Sequence, residues 1–173
     1  MKEILVPMAE YNAKANAALL ALLAKIPEKL LVADQKVYYK SLLGTFQHIV
    51  LAEINWLKRY ESFFSYPELE GSGLLRKDAE ALKAESGASL AACARLSAEV
   101  DSLFIAFAKG LDEVDLLKRV RYTNAKGEEL ERSYWQTIFH VLNHGTHHRG
   151  EISAVLDQNG VANDVSGFTL YAK

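Results

Sequence analysis

Four stretches of this chain repeat apolar residues at three- and four-residue intervals, and a proline or glycine closes each of them. A helix with one apolar stripe must bury it, and four such helices bury theirs most economically against one another. The spacing predicts helices over about 9–25, closed near Pro27; 41–64, closed near Pro67; 77–109, closed at Gly110; and 134–159, closed at Gly160. In the second, Leu42, Leu43, Phe46, Ile49, Val50, Ile54 and Leu57 form the stripe, and Ser133 is the expected N-cap of the last. "GSGLL" at 71–75 reads as a loop. Between the last two helices, Val120 and Tyr122 alternate with charged residues, the chain turns through "NAKGE", and Leu130 lies on the return. That pattern predicts a short β-hairpin or extended arm. The expected fold is all-α: a four-helix bundle with the hairpin before its last helix.

A chain of 173 residues is long enough for one hydrophobic core, so a single domain over 1–173 is expected. Its 20 basic and 22 acidic residues are well mixed and leave a net charge of −2, which gives nucleic acid or an anionic membrane surface nothing to hold. No apolar run approaches the roughly 20 residues that span a bilayer. The start, "MKEILVPMAEYNAK", lacks the apolar core of a signal peptide, so a cytoplasmic protein without membrane partners is expected. The only cysteine, Cys93, excludes an internal disulfide and any multi-cysteine zinc site, and reads as a small buried residue in "SLAACARLSAEV".

Chemistry concentrates in "NHGTHHRGE", residues 143–151. Residues four apart on a helix stand on one face about 6 Å from each other, so His144 and His148 can turn both imidazoles toward one ion. His144 with His147 is a second pair that the spacing allows. His140 shares the face but lies about 12 Å from His148 along the axis, too far for all three to reach one ion whose bonds to nitrogen measure about 2.0–2.1 Å. The remaining histidine, His48, sits in the apolar "TFQHIVLAEINW", where both ring nitrogens need a partner. A backbone carbonyl or Glu53 would satisfy it; so would a metal shared with His144 and His148, in a three-nitrogen site with an open position.

The neighbouring polar residues carry more than one reading. Glu151 either accepts a hydrogen bond from an imidazole, serves as general base near a bound water, or forms a solvated salt bridge with Arg149. Asn143 and Glu53 have similar supporting prospects. His140 and His147 read as a packed residue and a rim residue. Tyr11 and Trp56 are either pocket walls or core aromatics.

"FHVLNHGTHHRGEI" resembles the signature of the DinB family, the DinB/YfiT-like metalloenzymes. "YNAKANAALL" resembles the family's opening helix, "YKSLLGTFQHIVLAEINWLKRY" its second, and "VRYTNAKGEELERSYWQTIFH" the segment before its last. The resemblance implies a four-helix bundle, commonly a homodimer, with one divalent metal on His48, His144 and His148, and with His140 and His147 outside the ligand set. Zinc or nickel is the expected ion; iron and copper also accept three imidazoles. The chain departs from the pattern at Glu151, where the family often has glutamine, and at Glu53, where aspartate is frequent. Family members with assigned activity use low-molecular-weight thiols, so the resemblance implies a thiol S-transferase acting on a small molecule. Metal-assisted hydrolysis is the alternative at the same site, and a non-enzymatic metal-binding stress-response bundle is the alternative of another class.

Overall fold

The computed structural model describes residues 1–124, 126–164 and 167–171. Its elements run α1 (Lys2–Leu23), α2 (Glu28–Val32), α3 (Leu42–Phe63), α4 (Pro67–Glu70), α5 (Gly73–Arg76), α6 (Ala79–Gly87), α7 (Leu90–Gly110) and α8 (Glu113–Leu117). Strands β1 (Arg119–Thr123) and β2 (Glu129–Ser133) follow, then α9 (Tyr134–Gln158) and α10 (Phe168–Tyr171). The four long helices form the bundle, with α1 and α3 each packed against both α7 and α9. Every residue of the predicted α3 stripe is buried. At its centre Tyr60 stacks on Phe107 at 5.0 Å and donates its hydroxyl to the Thr137 carbonyl, which ties α3 to α9.

The all-α expectation holds, and so does the hairpin, whose strands pair antiparallel from Arg119 opposite Ser133 to Thr123 opposite Glu129. Residue 125 of the "NAKGE" turn lies outside the described residues. Gly127, at φ 81°, takes the left-handed position that such a turn requires. The α9 boundaries also agree with expectation. Gln136 accepts a hydrogen bond from the Ser133 amide, and Gly160 at φ 71° closes the helix with bonds from Gly160 N to Asp157 O and from Val161 N to Leu156 O.

Two boundaries differ from the sequence reading. Helix α1 begins at Lys2 and passes through Pro7, whose missing N–H would have bonded the carbonyl of Glu3, an exposed first-turn residue. The Lys2 amide is held from outside the helix by Glu113 of α8. The predicted 77–109 helix is two, because Ser89 is extended and its hydroxyl caps Ala92 N, starting α7 afresh. Short helices α2, α4, α5 and α8 occupy stretches read as connections, including part of "GSGLL".

Candidate metal centre

Helices α3 and α9 pack side by side, which brings His48 to the face of α9 that carries His144 and His148. His48 Nε2 lies 3.0 Å from His144 Nε2, and His148 Nε2 lies 3.0 Å from the same atom. The ring of His148 is buried, while the other two remain partly open to solvent. Three imidazole nitrogens bound to one tetrahedral ion at about 2.0–2.1 Å would stand roughly 3.3 Å apart, close to what is observed.

Hydrogen bonds among the rings satisfy this convergence only in part. His148 Nδ1 lies 2.6 Å from Glu151 Oε2, which places a proton on Nδ1 and turns Nε2 toward the other two rings. His144 Nε2 carries at most one proton and faces two ring nitrogens, so at most one of the two 3.0 Å contacts is a well-formed hydrogen bond. A cation between the three rings would satisfy all three nitrogens. Burial, reinforced by the neighbouring histidines, pulls His48 and His144 down from the ordinary 6.5 to about 4, so both are neutral at physiological pH and their lone pairs are available.

Sequence reasoning missed Tyr39. Its hydroxyl lies 2.8 Å from His48 Nε2, and its ring stacks on the His48 ring at 3.9 Å. Burial raises its pKa, so the phenol stays protonated. A tight turn delivers it: Lys36 and Lys40 both have positive φ, and Gln35 N bonds the Lys40 carbonyl across the turn. Gly44 makes room for it, since a Cβ there would stand 2.3 Å from the Tyr39 carbonyl oxygen. The local signal was "YYKSLLG", an N-cap serine before a glycine in the first turn of α3.

The other candidates fall in distinct places. Glu151 uses one carboxylate oxygen on His148 Nδ1 and the other on exposed His147, 3.2 Å from its Nε2, on the far side of the His148 ring from the cluster. His147, His148 and Glu151 form a second, more exposed group with ligand-like spacing. His140 stands apart from the three, its ring 6.0 Å from that of His144 and 5.7 Å from Trp56. Asn143 is exposed on α9. Beside the cluster, α3, the hairpin and α9 enclose a cavity of about 590 Å³, whose wall includes His48, His144, His140 and Trp56.

Glu53 and Tyr11 belong elsewhere, to a polar network sealed inside the bundle. Arg149 is buried and donates from one guanidinium nitrogen to Asn12 Oδ1 at 2.6 Å and Asn16 Oδ1 at 2.8 Å, with its guanidinium 5.4 Å from the Tyr11 ring centre. The two asparagines pass the contact on: Asn12 donates to Glu53 at 2.8 Å and to Asp101 at 3.3 Å, and Asn16 donates to Asp101 at 3.0 Å. Burial raises both acids, Glu53 to about 8 and Asp101 to about 6. Arg149 therefore points into the bundle and is not the surface partner of Glu151. All four long helices contribute to this network.

The family described as DinB family matches residues 1–172. A relative, Protein DinB of Bacillus subtilis (strain 168), is 25% identical over 171 residues, covering 99% of this chain and 95% of the relative. No solved structure matches.

Proposed function

We propose that this chain, which belongs to the DinB family, holds one divalent metal ion on His48, His144 and His148 and transfers a small-molecule thiol to an electrophile bound in the adjacent cavity. The observation that carries the reading is the convergence of three imidazole nitrogens, His144 Nε2 standing 3.0 Å from each of the other two, beside a 590 Å³ cavity whose wall includes His48 and His144. An ion held by three imidazoles supplies a Lewis acid with a free coordination position, which lowers the pKa of a thiol bound there.

The remaining work falls to the protein. Glu151 holds the His148 tautomer, and Tyr39 fixes the plane of His48 by stacking on its ring. The thiol comes from outside the chain, because Cys93 is fully buried and burial pushes its pKa up to about 12. In the transfer the thiol proton passes to cavity solvent, sulfur forms a bond to the electrophilic carbon, and the leaving group departs with the electron pair of the broken bond.

Elemental analysis of protein purified without added metal tests the site. Near one divalent ion per chain is expected in the native protein, with loss in both His48→Ala and His144→Ala. No metal even after reconstitution would overturn the three-histidine site. Assaying electrophile consumption with and without thiol tests the reaction: dependence on thiol is expected, and consumption by water alone would replace transfer with hydrolysis.

A further inference from the structure

The end of the cavity away from the histidines is built around one cation. Arg59 lies about three turns beyond His48 on α3, roughly 16 Å along the helix axis. Its guanidinium folds back over the Trp56 ring at 4.8 Å and stands 5.9 Å from the Tyr122 ring of β1. That placement aims it toward the cluster, at a separation on the order of 12 Å, the axial distance from His48 to Trp56. One nitrogen reaches the Thr123 carbonyl at 3.4 Å, leaving most of the five guanidinium donors uncommitted. Among the described residues no carboxylate lies within ion-pair distance of Arg59, and none lines the cavity. Arg59 is the only lysine or arginine in that lining, and Leu51, Ala52 and Leu130 supply an apolar wall.

We propose that Arg59 is a carboxylate subsite: the cavity takes a small amphipathic molecule whose carboxylate sits on the Arg59 guanidinium while its reacting end lies at the histidine cluster. A single guanidinium with no second cation matches a monoanion, and its planar fork matches a carboxylate in particular. Two aromatic rings behind the cation shield it from bulk water without neutralising it. The inference rests on the reading of this cavity as the substrate site of the metal centre. Arg59 in this role sets specificity and takes no part in the bond rearrangement.

The test uses titration calorimetry with probes that separate the two ends. On the metal-free chain, ω-phenylalkanoates should bind about tenfold or more tightly than the matching ω-phenylalkanols. Arg59→Gln should abolish that preference and Arg59→Lys should restore part of it. Because Arg59 also covers Trp56, unchanged alkanol affinity and metal content in the variants show that the cavity wall is intact. Equal binding of acid and alcohol, no binding of either, or a preference that survives Arg59→Gln would each overturn the proposal. On the zinc-loaded chain, ω-mercaptoalkanoates should exceed ω-mercaptoalkanols only at chain lengths that span both ends. If no thiol binds there while the acid preference still depends on Arg59, the thiol reading fails and the carboxylate subsite stands.

Discussion

Glu53 and Asp101 share one network but carry different charge states. With Glu53 raised to about 8 and Asp101 to about 6, neutral pH leaves Glu53 protonated and Asp101 as the counter-charge to Arg149. Glu53→Gln, which replaces a neutral acid by a neutral amide, should change stability by less than about 1 kcal/mol in denaturant titration at pH 7. Asp101→Asn leaves Arg149 buried without its carboxylate and should cost about 3 kcal/mol or more. Both acids hold protons more tightly folded than unfolded, so their contribution is fully present below about pH 4 and is lost as pH rises from there to about 6 for Asp101 and about 8 for Glu53. His48 and His144 act in the opposite direction: their folded values lie below the unfolded 6.5, so stability is lost as pH falls from there through about 4. The two effects oppose each other between about pH 4 and 6, so urea midpoints of the metal-free chain should fall chiefly between about 6.5 and 8, and Glu53→Gln should flatten that fall. The histidine pair on α9 was legible because four-residue spacing fixes a shared face. Arg149 was not, because "HHRGE" does not say which of its four polar residues turns inward, and the network it joins draws on three other helices.

At the level of elements, α9 contains two glycines with opposite roles. A Cβ at Gly145 would meet Asn12 Oδ1 at 2.7 Å and the Arg149 guanidinium at 3.1 Å, whereas one at Gly150 would meet nothing within 4 Å. Gly145→Ala should destabilise by about 1–3 kcal/mol through overpacking of the network, despite the better helix propensity of alanine. Gly150→Ala should stabilise by about 1 kcal/mol, and thermal melts of the two variants would show the opposite shifts. The sequence displayed both glycines alike; only the packing of α1 against α9 distinguishes them. The same limit explains the split of the predicted third helix, where Ser89 could have been an ordinary helical residue and instead caps a new start. Tyr39 escaped notice because its position depends on a turn with two positive-φ lysines, which no periodicity announces.

For the whole molecule, the ion and the fold should be linked. A site built from two helices of the completed bundle binds metal only when folded, so saturating zinc at about 100 times its dissociation constant should add about 2.7 kcal/mol. Scanning calorimetry should show one cooperative transition that moves up with zinc and does not move in His144→Ala; two separate transitions would contradict a single domain over 1–173. The bundle was readable in advance because four apolar stripes leave few other ways to hide, and the family resemblance named the same three histidines that the fold brings together. Which wall of the cavity carries charge was not readable, since Arg59 and Tyr122 meet only through the hairpin. No helix among the described residues is long and apolar enough to cross a membrane. His48 and His144 are 96 residues apart in the chain. During synthesis, then, three of the bundle's four helices emerge before the three histidines can meet, and capture of an ion there would be a late checkpoint that a truncated or stalled product could not pass.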